Sequence, residues 1–283
     1  MRCPAIEHGK IVHGDSAELL KCLPDESVDL IVTSPPYATM RDGYYSGISQ
    51  DKYASWFLPI AGEIKRVLSP KGSFVINIKE NVSNGERHPY VMDVVKGMRS
   101  QGWKWIDTYV WYKQNPHPIK PARRLKDGYE NIYHFAKNLD FTFNPENVRE
   151  PSKRNMCDYY KKSIAKGKEG WGNTYSMYPD TFEKHLKSGS CDKAYPSNVL
   201  VMAVGQRKKA IHPASFPEKL PAFFIKLMSN PGDVVLDPFA GGGTTNVAAK
   251  KACRETIGFD LEKNFVTSAN KELRNVACEA KVS

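Results

Sequence analysis

Val234-Val-Leu-Asp-Pro-Phe-Ala-Gly-Gly-Gly-Thr-Thr245 is the stretch that decides the fold. An apolar run of strand type ends at Asp237-Pro238, and three glycines separate it from a segment that opens a helix at Thr244. Without Cβ atoms, such a turn can bend sharply and admit a ligand close to the main chain. The helix start beyond it offers N–H groups to an anionic group. Thr256-Ile-Gly-Phe-Asp260 is then a second strand, and its final carboxylate lies about 20 residues past the turn, the usual reach for bonding ribose hydroxyls. The Gly-Lys-Ser/Thr ending of a phosphate-binding loop is missing, so a nucleoside cofactor without a phosphate chain fits better. An ordinary tight turn would explain the glycines alone. It would not explain Asp237, Pro238 and Asp260 together.

Outward from this turn, strands and helices alternate. A helix is expected between Ser215-Phe-Pro and Asn230-Pro-Gly232, and a last one over 262–276. Upstream, Ser27-Val-Asp-Leu-Ile-Val-Thr33 and Gly72-Ser-Phe-Val-Ile-Asn-Ile78 read as buried strands. Between them Tyr53, Trp56, Phe57, Ile60, Ile64 and Val67 recur at helical spacing; Pro59 predicts a kink or the true first turn. A helix over 89–99 and strands over 105–112 and 131–136 come next. The alternation predicts an α/β fold with a mostly parallel, doubly wound, Rossmann-like sheet. Three parts are expected: 1–145, a catalytic half; 146–211, a recognition region; and 212–283, a cofactor-binding half. The middle part is rich in Gly, Ser, Asn, Tyr and Lys and lacks apolar periodicity.

Charge singles out the same middle part. The chain of 283 residues carries a net charge of +10. From Arg149 to Lys209 there are 13 Lys/Arg against 6 Asp/Glu, so 13 − 6 = +7 of it lies there. Such concentration suits a polyanion, whose condensed counterions are released on binding. No apolar stretch is long enough to span a bilayer and no signal region opens the chain, which predicts a soluble cytoplasmic protein with no membrane partner. The six cysteines lack C-x-x-C spacing, so free thiols are expected and neither a zinc site nor any other metal.

Thr33-Ser34-Pro35-Pro36-Tyr37 succeeds a buried strand directly and so sits at a carboxyl edge, where α/β folds bind ligands. Two prolines stiffen the segment and remove donors. The Ser34 hydroxyl and the Pro35 carbonyl remain as acceptors, with the Tyr37 ring beside them. That set suits a planar ring bearing an amino group. An exocyclic amine is a poor nucleophile because its lone pair is delocalised. Acceptors that pull its hydrogens out of plane direct the lone pair at an electrophilic methyl group, by positioning and electrostatics alone. A Pro-Pro turn with a packing tyrosine is the plainer reading of these residues.

Ser-Pro-Pro-Tyr together with Asp-Pro-Phe-Ala-Gly-Gly-Gly-Thr-Thr resembles the amino-group DNA methyltransferases of restriction–modification systems. The order, catalytic segment first, resembles their circularly permuted β class. Gly14-Asp15, Arg66-Val-Leu-Ser-Pro-Lys-Gly-Ser-Phe-Val-Ile76, Tyr129-Glu-Asn-Ile-Tyr-His-Phe-Ala-Lys137 and His212-Pro-Ala-Ser-Phe-Pro-Glu-Lys-Leu-Pro221 agree with it. The likeness spans about three quarters of the chain and fails over about 145–211, where such enzymes carry a variable recognition region. It implies a class I methyltransferase fold, S-adenosyl-L-methionine as cofactor, double-stranded DNA as partner, a prokaryotic or phage source and pairing of two copies. It implies that Ser34, Pro35, Pro36 and Tyr37 hold the target base. Asp237, Pro238, Phe239, Gly241, Gly243 and Thr244 would line the methionine end of the cofactor and Asp260 its ribose. Phe216 and Pro217 would border its pocket, and Asp15 would stand nearby. Adenine-methylating members usually begin the catalytic segment with Asp, so Ser34 points to cytosine N4, with adenine N6 as the alternative.

Acting on a base within a duplex requires flipping it out, at a cost of a few kcal/mol. Arg123, Arg124, Arg149, Lys153, Arg154, Lys161, Lys162, Arg207, Lys208 and Lys209, with Trp171, are the candidates for DNA contacts that offset it. Residues 38–50 are expected to form a mobile loop that closes over the base. Three rival readings exist. An RNA or protein amine methyltransferase would usually place the cofactor segment first. A silent DNA-binding module would have lost one of the two motifs. A nicotinamide oxidoreductase leaves Ser-Pro-Pro-Tyr unexplained.

Overall fold

The computed structural model describes residues 3–38, 47–83, 85–116, 123–152, 193–204 and 216–279. The chain divides into two compact units, Met1–Asn144 with Asn198–Ser283, and Pro145–Ser197.

The larger unit is built on one eight-stranded sheet. Its strands are β1 (Lys10–His13), β2 (Val28–Thr33), β3 (Leu68–Asn77), β6 (Lys104–Lys113), β7 (Tyr129–Ala136), β10 (Val199–Met202), β11 (Val234–Asp237) and β12 (Glu255–Asp260). They lie in the order β1-β12-β11-β2-β3-β7-β6-β10. Only β7 runs against its neighbours, β3 and β6; every other pairing is parallel. The expected mostly parallel α/β sheet is the observed one. Two short strands, β4 (Val82–Ser83) and β5 (Glu86–Arg87), form a separate hairpin.

Six α-helices belong to this unit among the described residues: α1 (Ser16–Leu19), α2 (Gln50–Val67), α3 (Tyr90–Ser100), α4 (Lys219–Met228), α5 (Thr244–Lys251) and α6 (Lys263–Arg274). In α2 the buried side chains Tyr53, Phe57, Ile60, Ala61, Ile64 and Val67 repeat at three- and four-residue steps, which makes one apolar stripe. Each large member contributes roughly 1.5–3 kcal/mol by leaving water. The helix begins at Gln50 and runs through Pro59, so this proline is neither a first turn nor a stop. The stripe packs with Val91, Val94, Val95 and Met98 of α3 and with Ile31, Phe74 and Ile76 of the sheet. A smaller cluster joins Ile11, Val247, Val266, Ala269 and Leu273 beside β1, α5 and α6.

Val199–Met202 falls inside the expected middle part but pairs with β6 as the edge strand of the large sheet. The smaller compact unit is Pro145–Ser197. Within it, β8 (Glu150–Pro151) pairs antiparallel with β9 (Lys193–Ala194).

The cysteine expectation needs correction. Cys3 is joined to Cys22 and Cys253 to Cys278, with Cα separations of 5.6 and 4.8 Å, within the usual reach of a bridge. Sequence separations of 19 and 25 residues gave no local signal for either pair. No helix among the described residues is long and apolar enough to cross a membrane.

Candidate active site

Strand order reverses about β11 and β2: chain connections lead outward from this pair in both directions, which is where open α/β sheets bind ligands. β2 ends at Thr33 and β11 at Asp237, and the Thr33 hydroxyl donates to the Asp237 carboxylate at 2.5 Å. The next residue on one strand is Ser34, and on the other Pro238. The two motifs thus start from adjacent strand ends.

On the glycine side, Gly241 and Gly243 both have positive φ, 51° and 75°. A Cβ on Gly243 would stand 2.9 Å from the Ala269 Cβ, so glycine is required there by both backbone and neighbour. Gly243 caps α5, and Thr244 and Thr245 come after it in place of a basic residue. Asp260 holds the turn in shape: its carboxylate accepts from the Gly241 N–H at 2.7 Å and the Glu262 N–H at 2.8 Å. The Ala240 N–H donates to the Phe259 carbonyl at 2.8 Å. Asp237 is buried, and its carboxyl is pushed up to about 6, first by burial and further by the nearby Asp260 charge, against the hydrogen bonds of Thr33, Thr245 and the Phe239 N–H. Phe239 packs its ring 6.0 Å from Trp56 of α2.

Asp15 caps α1, accepting from the Ala17 N–H at 2.8 Å. The adjoining Ser16 hydroxyl donates to the Pro238 carbonyl, and the Gly14 N–H to the Asp260 carbonyl at 3.0 Å. These bonds bring Asp15 beside the glycine turn. Phe216 and Pro217 stand half-buried at the approach to α4, where the Pro217 carbonyl accepts from the Leu220 N–H. No hydrogen bond or ring contact joins either to the turn among the described residues.

On the other side, the carbonyls of Ser34-Pro-Pro-Tyr-Ala38 are used unequally. Tyr53 of α2 donates to the Pro36 carbonyl at 2.7 Å and Asn81 to the Ala38 carbonyl at 3.1 Å. No described group donates to the Pro35 carbonyl. Tyr37 is half-buried, and its hydroxyl meets Glu130 Oε2 at 2.9 Å, Asn77 Oδ1 at 3.2 Å and Ser34 Oγ at 3.4 Å. Glu130 in turn pairs with Lys113 at 2.6 Å. Sequence reasoning missed Thr33, Ser16, Glu130, Lys113 and Asn77. Glu130, near the start of β7 and ahead of a largely buried run, was the available signal for one of them.

The DNA candidates divide four ways. Arg123 is exposed. Arg124 donates to Asp127 at 2.9 Å, alongside Lys79 at 2.6 Å and Arg87 at 2.7 Å. Burial works to raise the Asp127 carboxyl, but Lys79, Arg87 and Arg124 outweigh it and bring it down to about 2. Arg149 serves the smaller unit internally. Its side chain is 7% exposed, pairs with Glu146, donates to the Lys193 carbonyl at 2.5 Å and lies over the Tyr195 ring. Lys153, Arg154, Lys161, Lys162, Trp171, Arg207, Lys208 and Lys209 lie outside the described residues, as does most of the 38–50 loop.

A mostly parallel sheet with a glycine turn and a Ser-Pro-Pro-Tyr segment at its central strand ends is the architecture of a Rossmann-like methyltransferase. The chain belongs to the DNA methylase family, whose profile matches residues 28–271. It is 31% identical over 304 residues to the type II methyltransferase M.PvuII of Proteus hauseri, covering 98% of this chain and 87% of that one. The solved structure of the cytosine-N4-specific PvuII DNA methyltransferase superposes with a TM-score of 0.70 at 25% identity, over 96% of this chain and 92% of that one. TTHA0409 of Thermus thermophilus, complexed with S-adenosyl-L-methionine, shares the fold at a TM-score of 0.62 and 24% identity, over 94% of each chain.

Proposed function

We propose that this DNA methyltransferase transfers a methyl group from S-adenosyl-L-methionine to N4 of a cytosine flipped out of double-stranded DNA, as the modification arm of a prokaryotic or phage restriction–modification system. The carrying observation is the Thr33–Asp237 bond, which holds the acceptor row and the glycine turn at one point of the sheet.

The donor set at the glycine turn suits this cofactor. A buried carboxylate, Asp237, suits a cationic methionine end. The turn lacks the basic side chain that a phosphate chain would call for. Asp237, Pro238, Phe239, Gly241, Gly243 and Thr244 would hold the methionine end, Asp260 the ribose, and Phe216 and Pro217 the pocket border, with Asp15 close by. When bound, the cofactor supplies a sulfonium methyl: the N–C bond forms as the S–C bond breaks, its electron pair returns to sulfur, and an amine proton goes to solvent.

The protein's part is positioning. The Pro35 carbonyl and the Ser34 hydroxyl accept the amine hydrogens, Pro36 stiffens the row, and the Tyr37 ring supports the base. Tyr53 and Asn81 keep the neighbouring carbonyls from swinging into competition. The smaller unit with residues up to 211 reads the site, and Arg123 with the middle-part cations contacts phosphates. M.PvuII and its solved counterpart support cytosine over adenine.

Nucleoside mass spectrometry of unmethylated DNA, after incubation with the protein and labelled cofactor, tests this. N4-methylcytosine is expected. N6-methyladenine would keep the mechanism and discard the role given to Ser34. Label found on RNA or protein alone would overturn the reading. Light scattering at working concentration tests the pairing of two copies.

A further inference from the structure

We infer that Glu130, held by Lys113, is a positioning residue for methyl transfer: it accepts the hydrogen bond of the Tyr37 hydroxyl and thereby turns the lone pairs of Ser34 toward the target amine. The inference rests on the function proposed above.

Glu130 lies on β7 and is 8% exposed, with its carboxylate directed at two partners. Lys113 Nζ reaches Oε1 at 2.6 Å, and Tyr37 reaches Oε2 at 2.9 Å. A carboxylate this buried would be costly without the lysine. Lys113 is itself 14% exposed and stands 5.1 Å over the Trp111 ring, so the pair is fixed on β6 and β7 rather than on a loop.

The direction of the hydrogen bonds comes from counting protons. The Tyr37 hydroxyl has one proton and two acceptors before it, Glu130 Oε2 at 2.9 Å and Asn77 Oδ1 at 3.2 Å. The charged and nearer acceptor receives that hydrogen bond. Asn77 uses its amide nitrogen on the Asn131 carbonyl, which keeps its oxygen toward the phenol and leaves it no donor to offer there. Burial first, and then the Glu130 charge, hold the Tyr37 hydroxyl well above its usual pKa, so the proton stays in place.

A Tyr37 oxygen whose proton is committed can only accept, and the donor facing it is the Ser34 hydroxyl at 3.4 Å. That contact is longer than a strong hydroxyl–hydroxyl bond, but its sense is set. The single Ser34 proton therefore points inward, and its lone pairs face outward beside the Pro35 carbonyl. A Ser34 proton pointing outward would present a donor to the amine, and the acceptor row would lose a member. Glu130 touches no reacting atom and acts through Tyr37.

The test measures single-turnover methyl transfer to unmethylated plasmid DNA for the wild type, Glu130→Gln, Tyr37→Phe and the double variant, with cofactor and DNA affinities measured separately. Tyr37→Phe keeps the ring, so support of the base is retained. Each single variant is expected to slow transfer by about tenfold or more, the loss of one hydrogen bond to a charged group, at affinities within about twofold of wild type. The double variant is expected to be no slower than the slower single one, because both act on one chain of bonds. A wild-type rate in Glu130→Gln overturns the inference. So do losses that multiply in the double variant, as two separate structural defects would give. Where Glu130→Gln does not fold, Tyr37→Phe decides alone, and a wild-type rate in it overturns the inference. A wild type that methylates no DNA overturns the functional reading and this inference with it. Normal transfer in both wild type and variants overturns the positioning role only.

Discussion

The Thr33 hydroxyl bonds the Asp237 carboxylate across 2.5 Å, joining the ends of two adjacent parallel strands. One residue further along, each strand enters a different motif: Ser34-Pro-Pro-Tyr37 on one side, and Pro238 with the glycine turn on the other. Thr33→Val keeps the shape and removes the donor from a buried carboxylate. The expected loss is roughly 1.5–3 kcal/mol of unfolding free energy, read from urea denaturation, with Thr33→Ser close to wild type. An unchanged midpoint in Thr33→Val would show that the bond contributes nothing to the junction.

Cofactor affinity should depend on pH through Asp237. With its carboxyl pushed up to about 6, chiefly by burial, this group is largely protonated at pH 5 and ionised at pH 8. A cationic methionine end binds the ionised form better. Affinity for S-adenosyl-L-methionine is expected to rise from pH 5 to about pH 7 and then level off, measured by calorimetry. Asp237→Asn should bind weakly with a flat profile. A flat profile in the wild type would place the cofactor's charge elsewhere.

Without cofactor, Asp237 and His134 act on stability in opposite directions within one pH window. Asp237 binds its proton more tightly folded, at about 6 against 3.8, so its contribution is lost as pH rises from about 4 to 6. His134 is buried and held down to about 4 against 6.5, so the unfolded chain takes the proton first and stability rises with pH from about 4 to 6.5. The two slopes largely offset each other. In Asp237→Asn the offset disappears, and stability should climb by roughly 2–3 kcal/mol relative to wild type between pH 4 and 6.5. His134→Gln should do the reverse and lose stability over the same range. Parallel curves for all three proteins would contradict both assignments.

Two glycines separate backbone strain from crowding. Gly85, in the turn between β4 and β5, has φ of 86° with nothing within 4 Å of an added Cβ. Gly243 has φ of 75° and the Ala269 Cβ 2.9 Å away. Gly85→Ala should cost about 1–2 kcal/mol for the left-handed backbone and leave cofactor affinity unchanged. Gly243→Ala should cost a further 1–3 kcal/mol or so for overpacking and weaken cofactor binding, because the α5 start must shift. Equal losses in the two variants would rule out crowding at the turn.

The central strands were legible because each announces itself twice, by an apolar run and by the turn at its end. Val234–Asp237 ends in the glycine turn, and Val28–Thr33 ends in the proline pair. Edge strands carry no such mark. β1 buries only Ile11 of its four residues, and β10 exposes Val199 and Val201 inside a stretch whose composition is that of loops. Pro59 was expected to mark a kink or a first turn, and the first-turn reading fails because the helix begins at Gln50. The apolar stripe of α2 stabilises the helix across the missing N–H, so the break that proline favours does not occur. Within the site, the two motifs were legible as local patterns, while the residues that hold them in place were not. Thr33, Ser16 and Glu130 act through partners 204, 222 and 93 positions away. No local pattern encodes such pairs.

Arg149 shows how a charge read as a DNA contact can serve a different end. Its guanidinium is enclosed by Glu146, the Lys193 carbonyl and the Tyr195 ring, across the β8–β9 pairing of the smaller unit. Removing it should loosen that unit rather than take a cation from a phosphate. Two measurements on Arg149→Ala separate these cases. Hydrogen exchange at Glu150, Lys193 and Ala194 should quicken. DNA affinity should fall with the slope of log affinity against log salt unchanged, since no counterion release is lost. A direct phosphate contact would instead lower that slope by about 0.9 while leaving exchange at β8 and β9 as in the wild type. Arg123→Ala is the comparison, because Arg123 is exposed and its removal is expected to lower the slope.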